Sequence, residues 1–289
     1  MRVLMVGATG KYAGLVLPEL KKRGVKVRAL VRNRESERAA RERGADETVL
    51  GNLEDARCLI SAAVGADGVF HINPAFAHRE ASIGVTMVEA AKAAGVKKFV
   101  FSSIIHPSIS TLSNHAGKQQ VERAIYESGM IFTVLQPTMF MQTLDHSWDE
   151  ALTEGRLSLP YSKKAKASYV DYRDVAEAVA MALTGTRLDY GTFEVCSHGM
   201  FNRFEVTAMM SEALGRKIEP REVPFDLWAD QQGIREGFAR QGLRRMYGDY
   251  SEHGLPGGNA LALKFILGRE PRTLKQYFQE LASRERKAA

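Results

Sequence analysis

The first fourteen residues, MRVLMVGATGKYAG, constrain this chain more than any other stretch. Arg2 to Val6 is a short apolar run, and Gly7, Gly10 and Ala13 follow at three-residue spacing before an amphipathic helical pattern begins. A strand turning tightly into a helix is the geometry that holds a dinucleotide pyrophosphate. Gly7 serves a backbone that leaves the φ < 0 region, and Gly10 removes a Cβ so that phosphate oxygens reach backbone N–H groups. Ala13 is small enough for close helix–strand packing. The predicted cofactor loop is therefore Gly7, Thr9, Gly10, Lys11, Tyr12 and Ala13.

The first half continues in the same rhythm. Strands are predicted at 3–6, 26–31, 47–50, 68–72, 99–102 and 132–136. Helices are predicted between them at 13–23, 35–43, 54–64, 81–94 and 118–128. The strands are rich in Val, Ile, Leu and Phe with little polar alternation, as in parallel sheets covered on both faces. Gly24, Gly44, Gly65, Gly95 and Gly129 each fall where a helix ends. The expected fold class is α/β, a Rossmann-type doubly wound parallel sheet with a smaller, partly helical C-terminal lobe. The expected division is 1–155 for the nucleotide domain and 156–289 mainly for a substrate or partner lobe, with 165–198 returning to the first domain. In the second half, helices are expected at 140–153, 174–183, 204–214, 225–247 and 273–283. A strand is expected at 193–195, extended chain at 220–223 and a loop at 248–258.

Composition narrows the class. At 289 residues the chain buries one large core, or a main domain with an appendage. Its apolar runs are too short for a bilayer span or a signal peptide, and Cys58 and Cys196 stand far apart without metal-ligand spacing. A cytoplasmic protein with no metal and no membrane partner is expected. The net charge of +6 gathers in 21–43, 163–166 and 235–245. Acids or helix-face spacing interleave every cluster except the lysines at 163–166, and this, with the absence of zinc-finger spacing or a helix-turn-helix, argues against direct nucleic-acid binding and for an anionic cofactor.

The second strand ends in ALVRNRE. Folds that prefer NAD place an acid here for the adenosine ribose; this chain has Arg32, with Arg34 close by. Guanidinium groups clamp a 2′-phosphate with paired charge-assisted bonds, so NADP(H) is expected over NAD(H). Asn52 and Leu53 after the third strand are expected to edge the adenine. Asn73 and Pro74 after the fourth are expected on the ribose and nicotinamide side, because ligands bind at the carboxyl ends of such strands. His71, inside a strand, reads as core. Asp171 and Asp174 read as a helix cap and an ion pair with Arg173.

GATGKYAG, Ser102–Ser103, HAGKQQVERAIYESG, TVLQPTMFMQ and YVDYRDVAEAVA together resemble the NmrA-like group, in order from residue 1 to about Gly215. These atypical relatives of short-chain dehydrogenases include NADP(H)-dependent quinone reductases and redox-sensing regulators without catalysis. The resemblance implies that Lys118 holds the nicotinamide ribose and that Ser103 faces the nicotinamide. His115 stands where the group often carries a histidine, there to contact cofactor or substrate or to cap its helix. Active short-chain dehydrogenases place a tyrosine four residues before the lysine, and here that residue is Asn114. An amide is no proton donor of tunable pKa, and Tyr126, eight residues on, is no substitute.

The resemblance leaves two principal functions open. In one, NADPH reduces a quinone-like acceptor. Hydride addition there yields a delocalised oxygen far less basic than an alkoxide, so no dedicated acid is required. Phe76, Phe140, Tyr161 and Tyr169, with Met139 and Trp228, are candidate flanks for a flat acceptor. In the other, the chain is a non-catalytic NADP(H) sensor acting on a protein partner, with the basic 235–245 region available for it. Reduction of activated double bonds or benzylic ethers, as in isoflavone-reductase-like relatives, is a third possibility. Oligomeric state is not legible.

Overall fold

The computed structural model describes residues 1–288. In chain order the elements are β1 (Arg2–Val6), α1 (Val16–Lys22), β2 (Lys26–Val31), α2 (Arg34–Glu42), β3 (Glu47–Leu50), α3 (Ala56–Ala63), β4 (Gly68–Ile72), α4 (Glu80–Ala93), β5 (Lys98–Ser102), α5 (Ser113–Glu127) and β6 (Ile131–Pro137). There follow β7 (Met139–Phe140), α6 (Asp145–Glu154), β8 (Arg156–Leu159), β9 (Ala167–Val170), α7 (Tyr172–Thr184), β10 (Gly191–Val195), β11 (Met200–Phe201), α8 (Arg203–Leu214), β12 (Glu219–Glu222), α9 (Phe225–Gln231), α10 (Phe238–His253), α11 (Leu261–Leu267) and α12 (Leu274–Ala288).

Two compact units result, residues 1–136 with 175–194, and 137–174 with the described residues from 195 onward. The division falls at 136, ahead of the expected 155, and the returning segment is narrower than 165–198. Apart from β10, the strands after Pro137 pair in small sheets of their own, and α6 and β8 belong to the second unit.

The first unit is built on a seven-stranded sheet of order β10-β6-β5-β4-β1-β2-β3. Neighbours from β3 through β6 pair in parallel, so the fold is α/β and doubly wound as the rhythm predicts. Val3, Leu4 and Met5 of β1 and Phe99, Val100 and Phe101 of β5 are fully buried, which explains why these strands lack polar alternation. The helix-terminating Gly24, Gly44, Gly65, Gly95 and Gly129 all have positive φ. Strand order reverses between β1 and β4, opening a crevice at their carboxyl ends.

The second unit holds a three-stranded sheet, β11-β9-β7, and the parallel pair β12 and β8. Its core includes Trp148 stacked on Phe278 at 5.8 Å. Asp171 accepts the Arg173 N–H and pairs with its guanidinium at 2.5 Å, while Asp174 is held by Arg269 and Arg272. Both aspartates are therefore structural, Asp174 through partners other than the expected Arg173. The single helix expected over 225–247 is two, α9 and α10, because the chain turns through Gly233 and Gly237 at φ 65° and 142°. Helix α10 runs past Gly248 to His253, and α11 follows the short Gly254–Ala260 loop. Among the described residues no helix is long and apolar enough to cross a membrane.

Candidate functional site

The turn after β1 is built as its glycines demand. Gly7 has φ 80°, and a Cβ there would stand 2.9 Å from the Cβ of Ala13. The Gly10 N–H donates to the Gly7 carbonyl at 2.8 Å, and a Cβ on Gly10 would lie 3.2 Å from that oxygen. Ala13, buried, opens a 3₁₀ turn that leads into α1. Arg43 reinforces the loop, its guanidinium reaching the carbonyls of Ala8 and Gly10 at 3.4 Å. Sequence reasoning missed this arginine, because the contact joins residues more than thirty apart.

Over this loop lies a cavity of about 860 Å³ at the carboxyl ends of β1 to β4. Gly7, Thr9, Gly10, Lys11, Tyr12, Ala13, Arg32, Asn52, Leu53, Asn73 and Pro74 all line it. Ser36, Glu54 and Ile83 join them without having been singled out. Arg34 does not line it. Its guanidinium is held 2.7 Å from Glu37, one turn on in α2. Glu37 also accepts from Thr48 and Arg41, and its carboxyl is drawn down to about 2, chiefly by the Arg34 bond. The Asn33 side chain caps α2 on Ser36 N–H, leaving Arg32 exposed at the rim.

Lys118, Ser103 and His115 lie outside that lining, in a buried polar network of the same unit. Helix α5 begins at Ser113, five residues earlier than expected, so Asn114 and Lys118 are one turn apart. The Lys118 ammonium donates to Glu80 Oε1 at 2.6 Å and to the Asn114 carbonyl at 3.1 Å. Glu80, the first residue of α4, is 5% exposed; its Oε2 accepts the backbone N–H of Phe76 at 2.9 Å. Phe76 has φ 60° and lies outside the cavity lining. The Asn73 amide donates to the Glu80 carbonyl and accepts from His71 Nε2 at 2.7 Å. His71 is core, as expected. Burial lowers it from 6.5 to about 4, so it is neutral at physiological pH.

Ser103 donates its hydroxyl to Glu122 Oε1 at 2.5 Å, so its oxygen presents lone pairs rather than a proton to other groups. Gln136 and Tyr126 also donate to Glu122. His115 is fully buried, and its Nδ1 donates to the His106 carbonyl at 2.9 Å, which fixes the proton on Nδ1. Its side chain does not cap α5. Glu80 and Glu122 are the residues missed here. Glu122, four after Lys118, shared its helix face; nothing local marked Glu80.

The proposed acceptor flanks are divided between the two units, with Phe76 in the first. Phe140, Tyr161 and Tyr169 belong to the second unit. Tyr169 is buried, its hydroxyl pushed well above the usual phenol range by burial. Phe140 packs edge-on against Tyr172 at 4.6 Å. Tyr161, with Met139 and Trp228, lines a second cavity of about 370 Å³ inside that unit. The basic region 235–245 is partly consumed internally, since Arg240 and Arg244 both pair with Asp226. Among the described residues no cluster of His, Cys, Asp or Glu could hold a metal.

Sheet order and crevice define a Rossmann-type α/β protein. More specifically, the chain belongs to the NmrA-like family, whose profile matches residues 1–278. An NAD(P)H azoreductase from Xenophilus azovorans is 31% identical over 219 residues, covering 75% of each chain. In fold, the chain matches an NADPH-dependent quinone oxidoreductase from Escherichia coli with a TM-score of 0.83 at 21% identity, covering 96% of this chain and 99% of the other. It also matches NmrA, a negative transcriptional regulator, with a TM-score of 0.78 at 19% identity, covering 99% and 97%.

Proposed function

We propose that this chain is a reductase that binds NADP(H) in the β1–β4 cavity and passes a hydride to a quinone-like acceptor. The observation that carries the cofactor reading is the rim of that cavity. Lys11, Arg32 and Ser36 stand there, and no carboxylate follows β2 where a ribose 2′-hydroxyl would call for one. A Cβ on Gly7 would press on Ala13 and one on Gly10 on the Gly7 carbonyl, so glycines keep this turn tight, and a pyrophosphate would lie against its backbone N–H groups. Arg32 and Lys11 would hold the 2′-phosphate, Asn52 and Leu53 the adenine edge, and Asn73 and Pro74 the ribose and nicotinamide side.

When bound, the cofactor supplies a hydride and nothing else. Lys118 would present its third N–H to the ribose while Glu80 and the Asn114 carbonyl fix the ammonium. Ser103, its proton committed to Glu122, would accept rather than donate. No side chain of this network is a ready acid, which favours an acceptor whose reduced form needs none at the moment of transfer. The azoreductase and quinone oxidoreductase relatives support reduction of conjugated acceptors as the class. NADPH and NADH titrations, followed by NADPH oxidation against a quinone panel, test the reading. Tighter NADH binding removes the first part, and no turnover with any quinone removes the second.

A sensor reading draws on the same Asn114 and on the regulator NmrA among the structural neighbours. Tight NADP(H) binding without turnover, together with a cofactor-dependent change in sedimentation or partner capture, would favour it.

A further inference from the structure

We infer, resting on the dinucleotide reading of the β1–β4 cavity, that Arg43 is a positioning residue for the cofactor's pyrophosphate. It does not line that cavity and acts through the loop after β1.

Peptide geometry gives the route. Arg43 Nη1 donates to the carbonyls of Ala8 and Gly10, both at 3.4 Å. In a planar trans peptide the C=O of one residue and the N–H of the next point in opposite directions. A guanidinium that holds the Ala8 and Gly10 oxygens therefore turns the N–H groups of Thr9 and Lys11 away from itself. Thr9 and Lys11 are cavity-lining residues. Among the described residues the Thr9 N–H has no acceptor. Both N–H groups are thus aimed from the loop toward an anion in the cavity.

Two further observations give Arg43 this task. Gly14 lies in the 3₁₀ turn Ala13–Leu15 without a positive φ, so backbone conformation does not call for glycine there. A Cβ built on it would stand 2.7 Å from Arg43 Nη1, so the side chain Gly14 lacks is the space the guanidinium occupies. Charge points the same way. Arg34 and Arg41 of α2 both pair with Glu37, whereas Arg43, at the end of that helix, pairs with no carboxylate among the described residues. Its charge is left to polarise the two loop peptides, in the sense that strengthens their N–H groups as donors.

Calorimetric titration of the full chain with NADPH, ADP and 2′-AMP tests this. ADP carries a diphosphate without the 2′-phosphate, and 2′-AMP the reverse. Arg43 is exposed, so Arg43→Leu leaves the core intact. It should weaken NADPH and ADP about threefold to tenfold and leave 2′-AMP within about twofold. Gly14→Ala, whose methyl would displace the guanidinium, should weaken ADP alike, and the double variant should lose no more than either single one. Equal loss of all three ligands would make Arg43 a general support of the fold, and unchanged ADP affinity would make the loop independent of it. Either result overturns the proposal, as does additive loss in the double variant. A parent chain that binds neither NADPH nor ADP would remove the cofactor reading itself, and this role of Arg43 with it.

Discussion

Lys118 Nζ and Glu80 Oε1 are 2.6 Å apart, with side chains only 7% and 5% exposed. The residue to which the family resemblance assigns the ribose is thus neutralised by a carboxylate from another helix. Removing one partner strands the other charge in a desolvated site, which costs about 3–5 kcal/mol. Replacing both with apolar groups of similar shape costs far less. Glu80→Ala should therefore lower stability by about 3–5 kcal/mol, and the Glu80→Leu/Lys118→Met pair should recover most of it. Urea denaturation of the two variants measures both. Loss by the double variant equal to that of the single one would contradict the pairing energetics.

Arg32 and Arg34 look equivalent in sequence but not in space. Arg32 lines the cavity, whereas Arg34 is held by Glu37. A lost charge-assisted contact is worth about 1.5–3 kcal/mol, or roughly tenfold to a hundredfold in affinity. Arg32→Glu should weaken NADPH by that factor and NADH little, and Arg34→Ala should leave both within about twofold. Fluorescence titration of each variant separates the two arginines.

Gly7→Ala should damage the loop directly. Its φ of 80° is strained for any residue with a Cβ, by about 1–2 kcal/mol, and the new methyl would press on Ala13. Lower Tm together with dinucleotide affinity weakened about tenfold or more is the expected result. Gly24→Ala, with nothing within 4 Å of its Cβ, carries only the backbone strain and should spare binding.

His71 makes stability pH-dependent. Burial depresses it from 6.5 to about 4, so the unfolded chain takes up a proton first as the pH falls. Its contribution is complete above pH 6.5 and is lost progressively on the way down to about pH 4, by up to about 3 kcal/mol. His71→Gln keeps a donor toward Asn73 and does not titrate. Denaturation midpoints for this variant should fall less steeply between pH 6.5 and 5 than those of the parent; parallel curves would contradict the assignment.

Short-range pattern carried much of the architecture. Burial on both faces made the strands readable, and glycines at positive φ marked where helices stop; both are decided within a few residues. The opening loop was legible for the same reason, since a strand, a left-handed turn and a small residue fit one local geometry. Only tertiary structure decided which charges meet. Glu80 reaches Lys118 across 38 residues and Ser103 reaches Glu122 across 19, distances over which periodicity is silent. It likewise set Arg34 aside on Glu37 and divided 225–247 into two helices at glycines that a helical pattern tolerates. Sequence periodicity reports that a face is buried, and packing alone chooses what it is buried against.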